Sequence, residues 1–174
     1  MKALELIKQL IGMAIVGGVF FLIGYAVNVT YFSDKTPAQP IEFSHKIHAG
    51  DNSIPCKYCH IYAEKSRVSG VPNVQRCMGC HKFIKTESPL IKQLTGYWDK
   101  KEPIPWVKVH NLPDYVHFTH KRHIKAGLQC QECHGDVAKM DRITKVSSLQ
   151  MGWCLGCHEK RDVKNGKDCW TCHK

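Results

Sequence analysis

Residues 10–27 run for 18 positions without a charged side chain, and Asn28, Val29, Thr30, Tyr31 and Phe32 prolong the run. At 1.5 Å per residue, about 20 residues cross a hydrocarbon core, so residues 1–32 are expected to form a single membrane-anchoring helix. The competing reading is a cleaved export signal, whose apolar stretch is usually about 7–15 residues and ends at an Ala-x-Ala-like site. This run is longer, and no such site follows it. Lys2 and Lys8 precede the apolar stretch, which places the N-terminus in the cytoplasm and the rest of the chain on the outer side.

The remaining chain has a different character. Residues 33–41 (Ser-Asp-Lys-Thr-Pro-Ala-Gln-Pro-Ile) read as a linker, and no long hydrophobic period follows. A short helix is expected around Leu90 and Leu94, within a segment punctuated by Pro89, Gly96, Pro103, Pro105 and Pro113.

The pattern Cys-x-x-Cys-His occurs five times and uses all ten cysteines: Cys56, Cys59 and His60; Cys77, Cys80 and His81; Cys130, Cys133 and His134; Cys154, Cys157 and His158; Cys169, Cys172 and His173. This is the attachment signature of c-type haem, in which two thiols form thioethers to the porphyrin and the histidine ligates the iron. The first cysteine and the histidine lie four residues apart, so one helical turn presents both to one haem face. Zinc also uses Cys-x-x-Cys, but its sites need pairs of pairs, so five pairs leave one over, and zinc gives no reason for a histidine after each. Five covalent haems are therefore expected. With roughly 29 exported residues per haem, the chain cannot build a layered core of its own. The expected fold is a multihaem cytochrome c with little regular secondary structure, its short helices and loops wrapped around five haems behind one N-terminal transmembrane helix.

Haem also changes the reading of charge. The formal net charge is +10, which by itself suggests nucleic acid or anionic lipid as a partner. Two propionates on each of five haems would balance it, and no lysine run marks a nucleic-acid footprint.

An internal repeat divides the exported part. Phe43-Ser44-His45-Lys46-Ile47-His48 precedes Cys56, and Phe118-Thr119-His120-Lys121-Arg122-His123 precedes Cys130. The Phe and His positions are offset by 75 residues, the first cysteines by 74, and the next motifs, Cys77 and Cys154, by 77. The expected organisation is a two-haem unit (42–85), a connector (86–113) and a three-haem unit (114–174).

Six histidines lie outside the motifs: His45, His48, His110, His117, His120 and His123. In His-x-x-His the two rings project from neighbouring positions on one helical face and can reach two haems. His45, His48, His120 and His123 are thus the leading distal iron ligands. For the fifth iron His110 is preferred to His117, which aligns with Glu42 in the repeat. Met140 and Met151 are the alternatives, and methionine would raise that haem's potential. With a distal ligand for each iron, no iron need stay open to substrate. Electron transfer is expected rather than catalysis, with no substrate site of the chain's own.

The Phe-Ser-His-Lys-Ile-His segment with its Cys-Lys-Tyr-Cys-His resembles the haem units of class III cytochromes, the c3 and c7 families. Nearly the whole chain, including Pro105-Trp106-Val107-Lys108-Val109-His110-Asn111-Leu112-Pro113-Asp114 and Met151-Gly152-Trp153-Cys154-Leu155-Gly156-Cys157-His158, resembles the pentahaem subunit of bacterial alternative complex III, a quinol:electron-acceptor oxidoreductase. The resemblance implies a relay from quinol oxidation to a periplasmic cytochrome or terminal oxidase in a respiratory or photosynthetic chain. It also implies partners: an iron–sulfur subunit, polytopic quinol-binding subunits and a monohaem cytochrome c. It supports His110 as a ligand. The alternative is a stand-alone membrane-anchored quinol dehydrogenase like the NapC and NrfH family.

Overall fold

A computed structural model describes residues 2–31 and 35–173. Phe32, Ser33 and Asp34, where the expected anchor ends and the linker begins, lie outside the described residues, as does the C-terminal Lys174. The chain forms two compact units that divide after Lys35.

The first unit is helix α1, Lys2–Tyr31. Its apolar portion, Ala3–Val27, is long enough to cross a membrane, and no residue of its most apolar window is buried by the rest of the chain. A helix apolar on all sides is suited to lipid.

The second unit is built of short helices joined by loops. In order these are a π-helical turn (Lys46–Asp51), α2 (Cys56–Cys59), α3 (Val74–His81), α4 (Pro89–Lys100), α5 (His120–Lys125), α6 (Gln131–His134), a 3-10 turn (Val137–Lys139), α7 (Met151–Lys160) and α8 (Cys169–Cys172). Among the described residues there is no β-strand, only an isolated antiparallel bridge between Val116 and His173.

Helix α4 is longer than the short helix expected. Pro89 occupies its first turn, where a missing N–H costs nothing, and Lys101 closes it in the left-handed conformation at φ 58°. Its apolar stripe continues from Ile91 and Leu94 to Tyr97 and Trp98, and it packs on α3. Helix α3 starts at Asn73, whose side chain accepts the Arg76 N–H at 3.0 Å.

The buried apolar cluster holds five side chains: Ile41, Val74, Met78, Leu94 and Ile104. None comes from beyond Ile104. Among the described residues of the C-terminal third, only Gly166 is buried. Polypeptide of that length with no apolar interior of its own needs another source of buried mass.

The two repeats dock by exchanging loops. The Lys46 N–H donates to the Met140 carbonyl at 2.9 Å, and the Lys121 N–H donates to the Ser66 carbonyl at 3.0 Å. Lys46 and Lys121 are repeat equivalents, and Ser66 and Met140 sit at matching distances beyond the first motif of each half. Each half thus holds the His-x-x-His helix of the other, a pseudo-two-fold arrangement. Around the first contact, Ser44 Oγ donates to Asp141 at 2.8 Å and Arg142 makes a two-pronged ion pair with Glu42. A Cβ on Gly50 would run into the Ala138 carbonyl oxygen, so only glycine allows this approach.

Candidate haem centres

Every Cys-x-x-Cys-His motif lies on a helical turn. In the three shortest, the histidine N–H returns to the first cysteine's carbonyl: His60 to Cys56 at 2.9 Å, His134 to Cys130 at 3.0 Å and His173 to Cys169 at 2.8 Å. This bond brings thiol and imidazole to one side of the turn. The other two motifs occupy the C-terminal half of α3 and the middle of α7. None of the ten cysteines is in a disulfide. Burial raises the thiols of Cys59, Cys77, Cys130, Cys133 and Cys154, as expected for sulfurs set against an apolar space.

Six imidazoles are fixed in the same way. Nδ1 of His48 contacts the Ser44 carbonyl at 2.7 Å, His60 that of Gly70 at 2.6 Å and His81 that of Ile84 at 3.0 Å. His120 contacts Arg67 at 2.9 Å, His123 contacts Thr119 at 2.8 Å and His158 contacts Gly166 at 2.6 Å. A carbonyl accepts only, so each Nδ1 must carry the proton and each Nε2 presents a lone pair. That tautomer and fixed orientation are what a metal-ligating histidine requires.

The rings then meet in pairs. The centroids of His48 and His81 are 6.1 Å apart, those of His123 and His158 6.1 Å, and those of His120 and His134 6.3 Å. A metal held between two imidazoles, with bonds of about 2 Å and roughly 1.1 Å from nitrogen to centroid, sets centroids about 6.2 Å apart. Each pair joins one spare histidine to one motif histidine. His45 lies near His60, which completes the set suggested by the repeat. Its Nδ1 is buried and has no hydrogen-bond partner.

The other sequence candidates fall as follows. His110 stands 4.4 Å from His134, centroid to centroid, with its Nε2 3.3 Å from His134 Nδ1. His117 donates its backbone N–H to the Cys172 carbonyl at 2.7 Å, beside the fifth motif, and Tyr115 stacks on His173 at 5.7 Å. Met140 lies beside Gly135, next to His134, while Met151 is exposed at the start of α7. Two residues that the repeat marks take a role the sequence did not assign them. Phe43 packs on both His45 and His48, and Phe118 on both His120 and His123, at 4.3–4.8 Å. Their recurrence at the repeat offset was the available signal.

The electrostatics keep ligand nitrogens free. Burial, with the nearby His60 and His48 rings, lowers His45 to about 4. Burial, with His110, His120 and His60, lowers His134 to about 4. Neutral imidazole is the form that binds metal. Among the described residues no three His, Cys, Asp or Glu side chains converge as a bare-ion site requires. A cleft of about 470 Å³ opens at His81, lined by Met78, Thr86, Thr95, Trp98, Asp99 and the lysines Lys82 and Lys92. An apolar floor with two lysines and two hydroxyls against one carboxylate at the rim fits a flat group that carries carboxylates. The residues present fit haem.

Comparison with known proteins agrees. The profile of the family "cytochrome c7 and related cytochrome c" matches residues 116–174. The menaquinone reductase multihaem cytochrome c subunit of Nitratidesulfovibrio vulgaris is 30% identical over 161 aligned residues, which cover 78% of this chain and 77% of that protein.

Proposed function

Because the chain belongs to the multihaem cytochrome c subunits, we propose that it is the membrane-anchored electron-transfer subunit of a quinone oxidoreductase complex, of the alternative complex III type, carrying five covalent haems. The three opposed imidazole pairs at 6.1–6.3 Å carry this reading. When bound, haem c supplies reversible one-electron chemistry at its iron. The chain's own residues do the rest. The ten cysteines would hold the porphyrins, and the motif histidines His60, His81, His134, His158 and His173 would each ligate one iron. His45, His48, His120 and His123 would supply the second ligand at the first, second, third and fourth motifs. Of the remaining candidates, His117 stands beside the fifth motif and is the distal group proposed there, whereas His110 and Met140 lie at His134 of the third motif and Met151 is exposed at the start of α7. Two protein ligands on each iron would leave it no position for substrate, as electron transfer requires.

Residues 1–32 anchor the chain with its N-terminus in the cytoplasm, and the haem unit stands on the outer side. Partners are the iron–sulfur subunit, polytopic quinone-binding subunits and a monohaem cytochrome c. In the quinol-oxidising direction, electrons leave for a periplasmic cytochrome or terminal oxidase. The relative's description as a menaquinone reductase subunit favours a second reading, in which the same relay runs toward quinone.

Purification in mild detergent, with identification of co-purifying subunits and assay in both directions, tests the proposal. Five haems per chain, a low-spin spectrum that ignores carbon monoxide and recovery within a complex are expected. Recovery as an active, partnerless quinol dehydrogenase would overturn the complex in favour of a stand-alone enzyme. Substantial carbon monoxide binding would overturn the relay.

A further inference from the structure

We infer that the haem centres follow one another in space in the order second, first, third, fourth, fifth motif, so that the second and fifth motifs are the two ends of the relay. This inference rests on the five-haem reading above.

Each junction has its own contact. The second and first motifs meet where the Arg76 guanidinium, beside Cys77, lies 5.0 Å over the ring of Tyr58, between Cys56 and Cys59. Cys59 neighbours both Cys77 and Cys80. The first and third motifs meet at the exchanged loops. There His120 and Lys121 donate their N–H groups to Arg67 and Ser66 at 3.0 Å, and Lys46 donates to Met140. The thiols of Cys56 and Cys130 are neighbours across this junction. The third and fourth motifs are tied by the Glu132–Arg161 ion pair, and Cys133 neighbours Cys154 and Cys157. The fourth and fifth adjoin where Thr171 Oγ1, between Cys169 and Cys172, donates to the Asn165 carbonyl at 2.8 Å, next to the Gly166 carbonyl that holds His158, with Cys172 near Cys154.

The repeat gives an independent reason for this order. Within each half, the first motif adjoins the second: Tyr58 meets Arg76 in one, and Glu132 meets Arg161 in the other. The halves exchange the loops that follow their first motifs, so the pseudo-two-fold axis passes between the first and third. The second and fourth must then lie outward, and the fifth extends one side only. The path therefore departs from chain order at its first step. One end carries the exposed Phe83 beside His81, and the other the exposed Trp170 between Cys169 and Cys172.

The test uses the full-length, haem-loaded chain with a ruthenium photosensitiser on Phe83→Cys, which supplies electrons drawn from a sacrificial donor. The intact relay is expected to reduce five haems in the fast intramolecular phase. Removing the first motif's haem (Cys56→Ala with Cys59→Ala) should cut that phase to one haem. Removing the fifth (Cys169→Ala with Cys172→Ala) should leave four. A fast phase of four haems without the first motif overturns the order while leaving the relay intact. A fast phase of one haem in the unmodified relay overturns the relay itself. Should the motif variants fail to fold, gadolinium tags on the otherwise intact, fully reduced chain decide the order. The Pro55→Cys/Gln129→Cys distance is expected to be shorter than the Gln75→Cys/Gln129→Cys distance, and the reverse overturns the proposal.

Discussion

His48 and His81 face one another with ring centroids 6.1 Å apart, although they lie in different helical segments. His123 and His158 repeat that separation in the second half. In both cases one ring comes from the second position of His-x-x-His and the other from the second motif of the same half. The same separation at interplanar angles of 66° and 26° indicates a constraint on the distance between the two rings rather than on either helix. Replacing His48 with Met tests the constraint. The haem of the second motif should stay attached and low-spin while its midpoint potential rises by roughly 0.1 V, a modest part of the ~0.8 V that axial ligands span. The other haems should stay within a small fraction of that shift. Redox titration with near-infrared spectra reads both, and an unchanged set of potentials would remove His48 from the ligands.

Gly50 and Ala138 fix how closely the halves approach. A methyl on Gly50 meets a backbone oxygen, which cannot swing aside as a side-chain end could. Gly50→Ala should therefore destabilise the haem unit by about 1–3 kcal/mol, the usual cost of overpacking. Gly96→Ala, in α4 with nothing within 4 Å of the added carbon, should stabilise by about 0.5–1 kcal/mol. Thermal unfolding of the two variants should move in opposite directions. Equal melting temperatures would mean the loop exchange is not a tight interface.

The sequence exposes the chemistry because covalent haem attachment is a local event, written in five consecutive residues. The repeat is legible for the same reason: Phe43, His45 and His48 recur as a block at Phe118, His120 and His123. What orients those rings was not legible. The acceptors for His60, His81 and His158 are the carbonyls of Gly70, Ile84 and Gly166, and a carbonyl leaves no mark in a sequence. The loop exchange is hidden likewise, since Lys46–Met140 and Lys121–Ser66 are backbone bonds. The apolar cluster draws single residues such as Ile41 and Ile104 from loops, so no period announces it. The same backbone bonds bring the loops that follow the first and third motifs against the His-x-x-His segments of the opposite halves, a closeness their separation along the chain conceals.

The division after Lys35 predicts that the two units separate cleanly. A chain with residues 1–35 replaced by a cleavable export signal should be recovered without detergent. It should keep its full haem content and the spectrum of the full-length protein. The full-length chain should partition into detergent. Loss of haem from the shortened chain would show that α1 supports the haem unit as well as anchoring it.

His45 and His134 set the response to acid. Both are lowered to about 4 by burial and neighbouring imidazoles, against an ordinary value of 6.5. Between pH 6.5 and about 4 the unfolded chain takes up protons at these positions while the folded chain does not. Linkage then makes stability fall as pH drops through that window, and leaves it insensitive to these groups above 6.5. Ligation needs the same neutral rings, so the low-spin spectrum should persist through the window. Denaturant unfolding at pH 7 and pH 5, with absorption spectra recorded alongside, checks both halves of the argument. The midpoint should be lower at pH 5 with the spectrum unchanged. Conversion to high-spin haem already at pH 6 would show that burial does not protect the distal ligands.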